Sequence, residues 1–143
     1  MCVLFLTFYA HRVKYTNARL LSPGKPLSDY LVSVGHDVYV IDDLSNSTLD
    51  VVSKEWKFYQ LDLTDNKKTV ELIVEIKPNV IYHLACHPYE GLSQFCPYDV
   101  CMTTQIATVN VLTGAVNAKS VTRFVNYSSM ARYGSGHKQE NGV

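Results

Sequence analysis

His36-Asp-Val-Tyr-Val-Ile-Asp42 has a continuously apolar, largely β-branched centre, Val38 to Ile41, between polar ends. A run that short and that apolar fits a strand buried on both faces, as in a parallel sheet covered by helices. Just before it, Leu27, Tyr30, Leu31 and Val34 recur at the i, i+3, i+4, i+7 spacing of a helix packed on one face. Pro26 suits the first turn of that helix, and Gly35 suits the position past its end. Earlier still, Val3–Leu6 reads as an opening strand. Met1–Ala10 resembles a short signal core, but no positive charge precedes it and no small-x-small cleavage site follows cleanly, so a buried strand is the better reading.

Downstream, the same alternation continues. Asp43-Leu-Ser-Asn-Ser-Thr48 is a polar loop, and Trp56-Lys-Phe-Tyr-Gln-Leu-Asp62 reads as a strand. Thr64 or Asp65 can cap a helix over 65–76 with Val70, Ile73 and Val74 inward, and Pro78 stops it. Asn79-Val-Ile-Tyr-His-Leu-Ala85 is another apolar strand. Pro88, Gly91 and Pro97 mark 86–98 as a loop. A helix over 99–118 is striped by Ile106, Val109, Leu112 and Val116, and Arg123-Phe-Val-Asn-Tyr-Ser-Ser129 is the last strand. Strands alternating with helices imply right-handed crossovers and a parallel sheet covered on both faces. The expected fold is therefore a doubly wound α/β domain of about five strands. In such sheets ligands bind beyond the carboxyl ends of the strands, where the strand order reverses.

Composition narrows the function. The chain has 143 residues, 47% hydrophobic, with 13 Lys+Arg against 13 Asp+Glu. One domain with a real core is expected. The charge balance and the lack of a basic block argue against a nucleic-acid binder that works through a basic surface. No apolar run reaches the length of a membrane span. Cys2, Cys86, Cys96 and Cys101 form no CxxC pair, and the spacing of Cys96 and Cys101 fits no zinc ribbon. Four such thiols read as reduced cysteines of a cytoplasmic protein, with no metal site.

The strand ends carry the candidate chemistry. Asp42, followed by Asp43, can accept both hydroxyls of an adenosine ribose and would repel a 2′-phosphate, which favours NAD over NADP. Gly24 lies 18 residues before Asp42, close to the separation of about 20 expected between a phosphate-loop glycine and the acid. Asp62 could meet the exocyclic amine of adenine, and Leu63 could cover its face. His83-Leu84-Ala85-Cys86 puts small residues after a strand, where a cofactor can approach the backbone closely. His83 itself reads as a satisfied core histidine. Ser128 and Ser129 end the last strand with hydroxyls that can meet a substrate.

Taken together, Gly35-His-Asp-Val-Tyr-Val-Ile-Asp-Asp-Leu-Ser-Asn-Ser47, Asp62, Tyr82-His-Leu-Ala85, Asn110-Val-Leu and Tyr127-Ser-Ser-Met-Ala-Arg-Tyr-Gly134 resemble the extended short-chain dehydrogenase/reductases. Within these the chain is most similar to NAD-dependent sugar-nucleotide epimerases and dehydratases of the UDP-glucose 4-epimerase kind. The resemblance covers roughly 24–134 and implies a Rossmann-like domain. It implies that Asp42 holds the adenosine ribose with Asp43, Asn46 and Ser47 nearby, and that Asp62 and Leu63 contact adenine. Leu84, Ala85 and Cys86 would line the middle of the cofactor, with Asn110 beside them. Ser129, four before Tyr133, matches the substrate-contacting Ser/Thr that assists a Tyr/Lys pair while NAD takes a hydride from the sugar ring.

Two departures shape the expectation. The family opens on a strand, three spaced glycines and a helix, because the glycines let backbone N–H groups approach the pyrophosphate. Here the first 34 residues hold one glycine, Gly24. It fits the third, helix-packing glycine, and 8–23 reads as an atypical insertion or a frameshifted stretch. Weakened NAD binding is expected, since a side chain at such a position blocks the phosphate. A hidden glycine fingerprint in another reading frame would support the frameshift. Second, the 143 residues contain no Tyr-x-x-x-Lys; Tyr133 and Lys138 are five apart around Gly134 and Gly136. The chain is thus expected to be an N-terminal cofactor-binding fragment, inactive alone, with 135–143 a loose tail. It is also expected to expose an apolar patch near the last strand, and so to self-associate. The alternatives are a non-catalytic Rossmann-like module that binds a nucleotide or a protein partner, or a degenerate gene product.

Overall fold

The computed structural model describes residues 1–6, 24–45, 49, 52–86, 91 and 93–129, with the backbone alone for 3–6. Five parallel strands form one sheet: β1 Cys2–Leu6, β2 Asp37–Asp42, β3 Lys57–Gln60, β4 Val80–His83 and β5 Arg123–Asn126. Their order is β3-β2-β1-β4-β5. The chain winds outward from β1 to β3, returns to the other side of β1 for β4, and winds outward again to β5. The order therefore reverses between β1 and β4.

Helices cover both faces. α1 (Gly24–Ser33) packs on one side, where Leu31, Val38, Val40 and Leu84 are buried with Leu27, Trp56, Phe58 and Tyr82 around them. On the other side α2 (Asn66–Ile76) and α4 (Ala107–Ala118) close over Ile41, Ile73, Ile81, Ala85 and Val111. β2 explains the opening stretch of sequence: Val38 and Val40 face α1 while Ile41 faces α2 and α4, so both sides of the strand are apolar. Asp65 caps α2 by accepting from the Lys68 N–H at 3.1 Å.

Two helices present faces other than those expected. In α1 the buried residues are Gly24, Ser28 and Leu31, whereas Tyr30 and Val34 are exposed. The Ser28 hydroxyl satisfies itself on the Gly24 carbonyl at 2.8 Å, which lets a polar residue sit inward. The second helix begins earlier than expected, as α3 (Pro97–Val100), and runs through a π-helical turn over Cys101–Ile106 into α4. The wide turn is closed by the Ala107 N–H on the Met102 carbonyl. Of the expected stripe, Val109, Leu112 and Val116 are 54%, 41% and 74% exposed. The face turned inward is Ala107, Asn110, Val111, Gly114, Ala115 and Ala118. Small residues win that face because α4 lies tight on α2: a β-carbon at Gly114 would sit 2.9 Å from Ile73 Cδ1 and 3.0 Å from Ile73 Cβ.

Candidate functional site

Because all five strands are parallel, every carboxyl end lies on one edge of the sheet. Register aligns them: Asp42 opposes Gln60, Ile41 and His83 both oppose Leu6, and His83 opposes Asn126. The ladders run slightly further, with the Leu61 N–H on the Asp42 carbonyl at 3.2 Å and the Tyr127 N–H on the His83 carbonyl at 3.0 Å. Asp62, Leu84, Ala85, Cys86 and Ser129 follow directly on these ends. α1 runs back from this edge toward the start of β2, so Gly24, buried at its first position, lies at the same edge. Asn46 and Ser47 lie outside the described residues, as do 8–23 and 130–143.

The β2 and β3 ends make an acidic corner. Asp42 is buried, and its Oδ1 accepts the Leu44 N–H at 2.7 Å. Leu44 takes a left-handed conformation, φ 62°, to close that turn. Asp43 accepts from the Ser45 N–H at 3.0 Å and from the Ser45 hydroxyl at 2.8 Å. Burial pushes the Asp43 carboxyl above the ordinary carboxylate range; the Ser45 hydrogen bonds pull against this, and the nearby charge of Asp62 adds to it. The exposed Asp62 accepts the Thr64 N–H at 2.8 Å. Three carboxylates so grouped accept hydroxyl donors and repel phosphate, which fits the diol of a ribose.

Three of the expected site residues have buried side chains. Leu63 is buried in the core under α2 and α4. Leu84 packs on the α1 side and Ala85 in the core on the opposite side, while Cys86 after them is half-buried. Asn110 turns inward and is 3% exposed. Its Nδ2 donates to the Leu63 and Thr64 carbonyls at 2.8 and 3.2 Å, and its Oδ1 accepts from Asn66 Nδ2 at 2.8 Å. Both hydrogens of the Asn110 amide are thereby engaged.

His83, at the end of β4 beside the reversal, is 1% exposed. The Thr108 hydroxyl donates to the Thr104 carbonyl, so its oxygen must accept from His83 Nε2, 2.8 Å away. That assigns the proton to Nε2. Nδ1 is then a buried acceptor with no hydrogen-bond partner among the described residues. Burial lowers His83 from the ordinary 6.5 to about 4, so the ring is neutral at pH 7. The core histidine expected from the sequence is thus satisfied at one nitrogen only. The Asn66–Asn110 pair and the Thr108 partner carry no signal in the chain's local pattern.

A doubly wound parallel sheet with an acidic strand end next to its topological reversal is the Rossmann type of dinucleotide-binding fold. The comparisons agree: the chain belongs to the GDP-mannose 4,6 dehydratase family, whose model matches residues 23–141. It is 32% identical over 119 residues to a UDP-glucose 4-epimerase of Mycolicibacterium smegmatis, covering 79% of this chain and 35% of that protein. Among solved structures it superposes on a UDP-galactose 4-epimerase with TM-score 0.75 and 27% identity, covering 96% of this chain and 41% of that one. A UDP-glucose 4-epimerase from Stenotrophomonas maltophila, with bound NAD and formylated UDP-arabinopyranose, superposes with TM-score 0.77 at 23% identity, covering 99% of this chain and 40% of that one. The chain thus spans about two fifths or less of the length of these relatives. Among the described residues, no helix is long and apolar enough to cross a membrane.

Proposed function

We propose that this chain is the cofactor-binding portion of an NAD-dependent sugar-nucleotide epimerase or dehydratase and is inactive alone. The observation that carries the reading is the acidic corner of Asp42, Asp43 and Asp62 at one end of a parallel sheet, beside the β1/β4 reversal. Its residues fit the adenosine half of NAD: buried Asp42 and half-buried Asp43 at the ribose, Asp62 near adenine, Ala85 and Cys86 along the middle. NAD, when bound, supplies a hydride acceptor. The chain's own part is to orient the ribose through Asp42 and to exclude a 2′-phosphate by charge. Ser129, exposed past β5 on the same edge, supports a contact with a sugar hydroxyl in this reading. No Tyr-x-x-x-Lys occurs in the 143 residues to provide a general base. Cytoplasmic residence, and self-association through exposed Tyr127 and the uncharged outer face of α4, belong to the same reading.

Calorimetric titration with NAD tests it. Weak binding is expected, reduced about tenfold or more by Asp42→Ala, since losing a charge-assisted pair of hydrogen bonds costs roughly 1.5–3 kcal/mol. Equal affinity in the two proteins, or no binding to either, refutes the site. Light scattering reads the oligomeric state, and a monodisperse monomer refutes self-association.

A further inference from the structure

We infer that Asn110 is a positioning residue for the adenine end of this site, acting through the β3–α2 loop and not by touching the ligand. The inference rests on the reading of Asp62 as a ligand contact. Asp62 stands on a short loop between the last ladder bond of β3, the Leu61 N–H on the Asp42 carbonyl at 3.2 Å, and Leu63, whose side chain is buried in the core; several of its hydrogen bonds are local. Its own carboxylate holds the Thr64 N–H, its carbonyl holds the Asp65 N–H at 3.1 Å, and Thr69 Oγ1 donates to the Leu63 carbonyl at 3.3 Å. Those local bonds shape the loop, the Leu61 bond and the Leu63 side chain seat it against the sheet, and Asn110 adds hydrogen bonds to it from α4. Asn110 reaches it from α4, 46 to 47 residues away in the chain, and donates to two successive carbonyls, Leu63 and Thr64. Its acceptor is filled by Asn66 in the first turn of α2. One buried amide therefore ties the loop, the start of α2 and α4 together. With both donors and its acceptor engaged, the amide's hydrogen bonds offset the cost of burying it. With its carbonyls pinned inward, the loop presents the Asp62 side chain outward beside Asp43, the neighbour whose carboxyl it pushes up.

The test uses the full chain and AMP as probe, with four proteins: wild type, Asn110→Asp, Asn110→Ser and Val111→Ala. Asn110→Asp keeps the shape and removes both donors; Asn110→Ser keeps one donor. Val111 is fully buried one residue along the same helix and touches none of the loop bonds described, so Val111→Ala reports plain loss of stability. The expected result is a fall of about tenfold in AMP affinity for Asn110→Asp, a smaller fall for Asn110→Ser, and no change for Val111→Ala at comparable loss of stability. Amide hydrogen exchange at 62–65 should rise in the Asn110 variants alone. Undiminished AMP affinity in Asn110→Asp, or an equal fall in Val111→Ala, overturns the positioning role. Failure of the wild type to bind AMP overturns the site reading itself, and the inference with it.

Discussion

His83 should make this fold acid-sensitive, and the size of the effect can be worked out. Its ring is buried and neutral, with a folded-state pKa of about 4 against an ordinary 6.5. The unfolded chain therefore binds a proton on this ring over a range where the folded chain does not. Stability from this group is full above about pH 6.5, falls as the pH drops through that value, and levels off below about pH 4. The gap corresponds to about 3 kcal/mol in total, of which roughly 2–3 kcal/mol is lost between pH 7.5 and 4.5. That is a large fraction of the 5–15 kcal/mol typical of a domain. The perturbation is His83→Leu, which keeps an apolar group of similar length against Phe124, the ring that packs on His83 at 5.8 Å between centroids. Urea unfolding at pH 7.5, 6, 5 and 4.5 gives the difference directly, because the carboxylates titrate in both proteins and cancel. The variant should lose about 2–3 kcal/mol less than wild type over that range. If the two proteins lose the same stability on acidification, the buried neutral imidazole is not the responsible group.

Two further predictions concern the helices. Gly114→Ala should destabilise the protein by about 1 kcal/mol even though alanine is the better helix former, because overpacking against Ile73 at roughly 1–3 kcal/mol exceeds a propensity gain of about 1 kcal/mol; a raised urea midpoint would refute the tight α2–α4 contact. Lys77 ends α2 in a left-handed conformation, φ 50°, with its N–H on the Ile73 carbonyl at 3.0 Å. Lys77→Gly should stabilise by roughly 0.5–1 kcal/mol in thermal melts, and a lowered midpoint would count against that cap.

The order of elements was open to reading because it is written in short-range patterns. Val38–Ile41, Val80–Ile81 and Phe124–Val125 announce strands by local apolarity, and Asp65 announces a helix start by its own chemistry. With parallel strands, that order alone gathers Asp42, Asp62, Ala85 and Ser129 onto one edge. A face of a helix is a different matter, because it is chosen by what the helix meets. The large side chains of α4 suggested one stripe, yet close approach to Ile73 selected the small ones. The same holds for the polar core. Asn110 finds its partners 44 to 47 residues back, and His83 finds Thr108 on another element. Bonds of that kind depend on three-dimensional proximity and on the demand that buried polar atoms be paired, and neither leaves a periodic trace in the chain. What the sequence determined by itself was the wound sheet and the row of groups along its edge. What tertiary packing decided was how far each of those groups is exposed: Asp62 is open to solvent and Asp43 half-buried, while Asp42, Leu63, Leu84 and Asn110 are buried, because their partners lie on other elements or across a turn.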